Sequence, residues 1–262
     1  MAAILELQNI RLSLTNSRGE RYELLRGVNF TVERGGVTAL VGGNGTGKTT
    51  LFNIVSGFQP GYTGDVRFDG RSLKHLPAYR ISQRGIGRLF QGGQLLAGLS
   101  LMENMKAASC DHCGEAPFST FVHPRRYRHA ELRKEQHARE ILTRLFGPDN
   151  KYLGMLDHEA SAFSYGEQRL LSLARLLMDD NRLLLLDEPT AGVNPVHIDA
   201  IETIIREMTA GGMTVLLIEH NMHFVRRVAD RCAYLDDGRI AKTGATAEVL
   251  DDEEVRNSYL GL

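Results

Sequence analysis

Residues 37–50 read Val37-Thr38-Ala39-Leu40-Val41-Gly42-Gly43-Asn44-Gly45-Thr46-Gly47-Lys48-Thr49-Thr50. An apolar run of strand length leads straight into a glycine-rich loop, and the residues after it suit a helix. Glycines 42, 45 and 47 let backbone N–H groups turn inward around a polyphosphate, and the helix N-terminus adds the positive end of its dipole. Lys48 brings a point charge to the β and γ phosphates, and the Thr49 hydroxyl is a natural Mg²⁺ ligand. A glycine-rich turn formed by chance is the competing reading, and the strand in front of the loop argues against it.

Two further apolar runs end in polar residues: Leu183 to Leu186 stops at Asp187-Glu188, and Val215 to Ile218 stops at Glu219-His220. Strands of a parallel sheet covered on both faces have this composition, and ligands sit beyond their carboxyl ends. Asp187 is placed to hold Mg²⁺ through water, and Glu188 to reach the water that attacks a γ-phosphate. Two adjacent carboxylates also occur at an ordinary solvated strand end, but Pro189-Thr190 and the phosphate loop favour hydrolysis.

Around these strands the pattern changes twice. Residues 28–33, Val-Asn-Phe-Thr-Val-Glu, alternate with period two and predict a half-buried antiparallel strand that ends at Arg34-Gly35-Gly36. Between Gln91 and Phe163 the chain is helical and polar, which predicts a mainly helical insertion in the nucleotide core. Leu170, Leu173, Ala174 and Leu177 then recur at helical spacing. Asp236-Asp237-Gly238 marks a hairpin turn, and one C-terminal helix is expected from about Ala245.

Composition excludes several classes. The chain has 262 residues, 42% hydrophobic and 24% charged, enough to bury a large core. A net charge of -1 removes any global attraction to nucleic acid or anionic membranes. Three cysteines form no disulfide framework and fit a reducing compartment. The apolar runs are far short of the roughly 20 residues that cross a bilayer, and Met1 to Glu6 has no leader character. The cytosol is the expected compartment.

Phe163-Ser164-Tyr165-Gly166-Glu167-Gln168 lies between the glycine loop and the Asp187-Glu188 strand. In that order the three motifs resemble the ATP-binding cassette (ABC) family over nearly the whole chain, with residues 163–167 in the place of its signature. The resemblance implies an α/β fold: a P-loop NTPase (RecA-like) core with an antiparallel β subdomain over 1–90 and 165–262, and a helical subdomain over 91–164. It implies an ATP sandwich in which two domains face head to tail, with ATP and Mg²⁺ bound by residues 42–50, namely Gly42, Gly43, Asn44, Gly45, Thr46, Gly47, Lys48, Thr49 and Thr50. Ser164, Tyr165, Gly166 and Glu167 would contact the ATP of the opposite copy, although Ser164 and Gly166 also suit a helix cap and a turn. Gln91 matches the glutamine that touches Mg²⁺ beside Thr49 and Asp187, and His220 the switch histidine that joins Glu188 in catalysis. A lone strand-end histidine is more often structural; the register of the four motifs reverses that reading.

The chain departs from the family at several points. Gly43 stands for the usual proline, Thr46 for alanine or serine, Tyr165 for the first signature glycine, Glu167 for glutamine and Asn194 for an aspartate. Leu14 lies near the register of the adenine-stacking aromatic, and Tyr22 is the nearest upstream candidate, although it suits equally a strand residue packing on the sheet. Glu219-His220-Asn221-Met222, Ala191 to Pro195 and Tyr259-Leu260-Gly261 look like the ATPase subunits of branched-chain amino-acid importers or their amide and urea relatives. The partners so implied are a second ATPase subunit, transmembrane permease subunits that dock near Gln91 to Met105, and a solute-binding protein, with the chain on the inner face of the cell membrane.

Other classes stay open at this stage. An exporter ATPase would carry the same motifs. A soluble cassette acting on nucleic acid or the ribosome draws support from Arg125, Arg126, Arg128, Arg133, Lys134 and Arg139, but Glu131, Glu135 and Glu140 interleave with them as on a solvated helix. Cys110-Asp111-His112-Cys113 is half of a zinc motif without its second pair.

Overall fold

The structure, a computed structural model, describes residues 2–92, 95–109 and 124–260. Cys110 and Cys113 lie outside the described residues, as do the side chains of Arg125 and Arg126. The chain forms two compact units: one of Met1–Gln91, Asn181–Thr190 and Met208–Leu262, the other of Gly92–Asp180 and Ala191–Glu207. The second unit therefore takes in more chain than the stretch 91–164 outlined by the change of sequence pattern.

The first unit holds two sheets. Strands β1 (Ala3–Thr15) and β2 (Arg21–Glu33) pair antiparallel, with Asn16 closing the turn by accepting the N–H groups of Arg18 and Glu20. The alternation read over 28–33 belongs to β2: Val28, Phe30 and Val32 are buried while Asn29 and Thr31 are exposed. After β3 (Gly36–Val41) and α1 (Lys48–Val55), the chain adds β4 (Thr63–Phe68) and β5 (Arg71–Ser72) to give a four-stranded sheet of order β2-β1-β4-β5. Helix α2 (Ala78–Ser82) then leads into β6 (Ile86–Leu89).

The second sheet positions the chemistry. Its order is β10-β9-β3-β8-β7-β6, where β7 is Leu183–Asp187, β8 Thr214–Ile218, β9 Arg231–Asp236 and β10 Arg239–Ala245. Strands β9, β3, β8, β7 and β6 run parallel, and β10 returns antiparallel through Asp237 and Gly238, both at positive φ as a tight hairpin requires. Every residue of β7 and β8 is buried, which explains their unbroken apolar composition. Leu185 and Leu216, adjacent across that pair, join one core with Phe52, Leu51 and the inner face of the antiparallel sheet.

The second unit is helical: α3 (Leu101–Ala107), α4 (Pro124–Phe146) and α5 (Tyr165–Arg175), followed by α6 (Pro195–Ala210). Ser100 with Glu103, and Ser164 with Glu167, form complete capping boxes that start α3 and α5. The stripe of Leu170, Leu173 and Ala174 is buried on α5, and Leu177 follows in a short 3₁₀ turn. On α4 two members of the basic run are locally paired, Arg139 with Glu135 and Lys134 with Glu131. No helix among the described residues is long and apolar enough to cross a membrane.

The C-terminal segment differs from the single helix expected. After α7 (Met222–Val228) it forms α8 (Thr246–Leu250) and α9 (Glu253–Leu260), because Asp252 accepts the N–H groups of Glu254 and Val255 and starts a new helix.

Leu185 has no exposed surface in the central sheet. Leu185→Ala should lower unfolding stability by about 2–5 kcal/mol, read as a lower denaturant midpoint at unchanged m-value.

Candidate functional site

Four neighbouring strands deliver their carboxyl ends to one edge of the parallel sheet. β3 ends at Val41 and opens the glycine loop, β8 leads to Glu219-His220, β7 ends at Asp187, and β6 leads by Leu89-Phe90 to Gln91. The parallel register brings Asp187 level with Ile218, and the Glu188 N–H donates to the Ile218 carbonyl at 2.9 Å.

The loop turns tightly. Gly42 has φ 156° and a Cβ there would lie 2.2 Å from the Leu235 carbonyl oxygen, so no larger residue fits. Gly47, at φ 104°, is the N-cap of α1. Gly43 is different: it has no positive φ, and its nearest neighbour for an added Cβ is Thr46 Cγ2 at an ordinary 3.6 Å. A residue other than glycine is therefore compatible with position 43. The Thr46 hydroxyl donates to the Gly43 carbonyl at 3.0 Å and braces the loop from inside.

Lys48 is buried, and its ammonium donates to the carbonyls of Gly42 at 2.8 Å and Gly43 at 2.7 Å. Burial pulls its pKa down, while the carboxylates of Glu188 and Asp187 oppose that shift. Asp187 is fully buried, and burial pushes its pKa up. The Arg88 guanidinium, 3.3 Å from Asp187 Oδ2, acts against that shift, as does a hydrogen bond from Thr49. Arg88 also donates to Ser56 Oγ at 2.7 Å and lies over the rings of Phe52 and Phe90.

Glu188 sits at φ 48°, a left-handed conformation that costs a non-glycine residue roughly 1–3 kcal/mol. Its side chain is held on both oxygens: Gln91 Nε2 donates to Oε2 at 3.0 Å, and His220 Nε2 lies 3.2 Å from Oε1. Three residues singled out from separate motifs thus meet around one carboxylate. Thr49, read with Gln91 and Asp187 as a metal ligand, bonds to Asp187, whereas Gln91 is engaged with Glu188.

No group of three or more His, Cys, Asp or Glu able to hold a metal occurs among the described residues. The donor set of one hydroxyl and one carboxylate at the loop instead fits a small hard cation that keeps most of its ligands from water and phosphate oxygens. Tyr22 and Leu14, partners across β1 and β2, line a cleft of about 350 Å³ together with Lys48, Thr49, Glu188 and His220. Tyr22 is 46% exposed and is one of the residues that line this cleft.

In the helical unit, Ser164 caps α5 and its Oγ accepts the Glu167 N–H, while Glu167 accepts the Ser164 N–H at 2.7 Å. Burial works against the charge on Glu167, but the Lys151 ammonium and the Ser164 hydroxyl and N–H outweigh it and hold the carboxyl down at about 2. Tyr165 donates its hydroxyl to the Ala191 carbonyl at 3.2 Å. A Cβ on Gly166 would lie 2.3 Å from the His197 ring, so a larger residue here would have to displace that side chain. Asn194 accepts the Val196 N–H at 3.1 Å ahead of Pro195, an N-cap followed by a first-turn proline.

Two residues at the sheet edge were not picked out as site residues by sequence. Arg88 looks like an ordinary strand cation until Asp187 and two rings surround it, and Glu219 looks like an ordinary strand-end carboxylate. The signal was present only as an ionisable residue inside or next to an apolar strand.

Comparison with known proteins gives a consistent picture. The family model described as ABC transporter matches residues 25–191. The high-affinity branched-chain amino acid transport ATP-binding protein BraF of Pseudomonas aeruginosa is 32% identical over 238 residues, covering 90% of this chain and 91% of that protein. The probable branched-chain amino acid transport ATP-binding protein LivG of Archaeoglobus fulgidus is 35% identical over 237 residues, covering 90% and 89%. Among solved structures, the ADP conformation of MJ1267, an ATP-binding cassette of an ABC transporter, matches with a TM-score of 0.81 and 28% identity over 100% of both chains.

The contrast between the first two loop glycines is directly measurable. Gly42→Ala, which drives a methyl into the Leu235 carbonyl, should abolish binding of a fluorescent ATP analogue, whereas Gly43→Ala should keep its Kd within about threefold of the parent. Equal losses from both would contradict the assigned loop geometry.

The Lys151–Glu167 contact also has a pH signature. Because Glu167 is held at about 2 against 4.5 for an ordinary glutamate, its contribution to stability is complete above pH 4.5 and is lost as pH falls from there towards 2. Glu167→Gln should flatten the fall of Tm with pH across that window; an unchanged slope would contradict the contact.

Proposed function

This chain belongs to the ABC transporter family and is an ATP-binding, ATP-hydrolysing subunit; from that premise we propose that it powers import of branched-chain amino acids or related amide or urea compounds. The observation that carries the hydrolytic assignment is the meeting of Gln91, Glu188 and His220 beyond the parallel strand ends that also carry the phosphate loop. The solute assignment rests on the branched-chain amino acid transport named for the relatives. These named relatives, together with the local pairing on α4, favour the transporter over a soluble cassette working on nucleic acid or the ribosome.

In the proposed cycle the loop N–H groups of residues 42–47 and the dipole of α1 bind the ATP phosphates, and Lys48 adds charge to the β and γ groups. Tyr22, which lines the cleft, supplies a face for the adenine. Thr49 and Asp187 would hold Mg²⁺, with Gln91 beside them, and the ion, when bound, neutralises charge on the phosphate oxygens. Glu188 Oε1 and His220 Nε2 then act at one point: the glutamate takes the proton of the attacking water, and the histidine donates to the γ-phosphate.

A second copy, or a similar ATPase, completes the site. Ser164 and the Gly166 backbone at the start of α5 offer donors to the γ-phosphate held by the opposite loop, with Tyr165 and Glu167 shaping that helix start through their bonds to Ala191 and Lys151. Closure of the pair on ATP moves permease subunits docked near Gln91 to Met105, and hydrolysis reopens it. The chain thereby sits on the inner face of the cell membrane through its permease, which receives solute from a binding protein.

Glu188→Gln removes the base and keeps the shape. It should lower steady-state hydrolysis by about 10²- to 10⁴-fold while leaving ATP binding intact and shifting the purified chain to a dimer in ATP, seen by light scattering. Undiminished phosphate release from this variant would sink the role of Glu188.

A further inference from the structure

Beyond Asp187 the ladder between β7 and β8 cannot continue. Glu188 is left-handed and spends its N–H on the Ile218 carbonyl, and Pro189 has no N–H to give. Past that backbone bond, side chains tie the segment that carries the hydrolytic glutamate to the segment that carries the switch histidine: His220 meets Glu188 itself, and Glu219 bonds to both segments.

Glu219 is buried, 3% exposed, and its carboxylate collects four donors. Oε1 accepts the Thr190 N–H at 2.9 Å and a bond from the Thr190 hydroxyl. Oε2 accepts the N–H groups of His220 at 2.8 Å and Asn221 at 3.1 Å. Each oxygen serves one segment: the first holds the chain two residues after Glu188, the second holds the peptide of His220 and the cap of α7, where Asn221 accepts the Phe224 N–H. Placing a carboxylate out of water is costly unless its lone pairs are filled. All four bonds that fill them come from these two segments.

We propose that Glu219 is a positioning residue for ATP hydrolysis, a two-sided clamp that fixes the distance between the Glu188 segment and the His220 segment. The proposal rests on the roles given above to Glu188 and His220. It explains how a left-handed glutamate and a strand-end histidine keep a 3.2 Å separation although the sheet stops before both. Charge-assisted bonds hold such a geometry more firmly than neutral ones, and a displacement of about 1 Å at a reacting centre can cost 100-fold in rate.

Glu219→Gln tests the clamp, because the amide keeps the volume but presents N–H to one pair of donors whichever way it is turned. In the purified full chain, kcat for ATP should fall about 10- to 100-fold while the Kd of a fluorescent ATP analogue stays within about threefold. Thr190→Val, which removes only the hydroxyl, should lower kcat several-fold by the same split, and it decides the matter if Glu219→Gln fails to fold. Parental kcat in either folded variant, or a loss of nucleotide affinity that matches the loss of kcat, would overturn the proposal. Parental protein run alongside separates the two claims: a chain that binds ATP but never hydrolyses it overturns the hydrolytic reading and the clamp together, whereas a hydrolysing parent with an unaffected Glu219→Gln overturns the clamp alone.

Discussion

The parallel, in-register pairing of β3, β8, β7 and β6 is the constraint on which the site depends. Because the strands run the same way and end level, whatever follows each of them is delivered to the same edge. The glycine loop, the two acidic residues, the histidine and the glutamine are dispersed along the chain from position 42 to position 220. Their convergence follows from hydrogen-bond register in the sheet, which is also why the apolar strands must remain buried on both faces.

Charge at that edge is arranged in opposed pairs. Burial drives Asp187 towards its neutral form and Lys48 towards its own, and each is countered by nearby groups of opposite sign, Arg88 for the aspartate and the two carboxylates for the lysine. Glu188 is held differently, by donors on both oxygens and by a backbone conformation that few glutamates adopt. Strain, buried charge and a shared carboxylate are concentrated in a few residues at the carboxyl ends of the strands, the place where a phosphate would be bound and cut.

Much of this was legible in sequence, for identifiable reasons. The strands 37–41, 183–186 and 215–218 were readable because burial on both faces leaves unbroken apolar runs, and the loop because glycine is needed where φ is positive or a carbonyl passes close, as at Gly42. The alternation at 28–33 revealed β2 but neither its partner β1, whose bulges blur period two, nor the shorter strands β4 and β5 beyond it. The break between α8 and α9 was hidden because an aspartate pair reads as easily within a helix as at a new cap. Arg88 and Glu219 were overlooked as site residues for a common reason: their importance lies in contacts made across strands, and periodicity along the chain carries no record of them. Gly43, which stands where the family usually has proline, has a backbone that would accept a side chain.

The central claim is that the strand ends assemble one phosphate-cleaving centre around Glu188. A crystal structure of the chain with Mg²⁺ and a non-hydrolysable ATP analogue tests it most directly. The account predicts the triphosphate wrapped by residues 42–47, the metal beside Thr49 and Asp187, and the γ-phosphate within about 3 Å of His220 Nε2 with a water in reach of Glu188. A triphosphate bound elsewhere, or one whose γ-phosphate points away from Glu188 and His220, would contradict it.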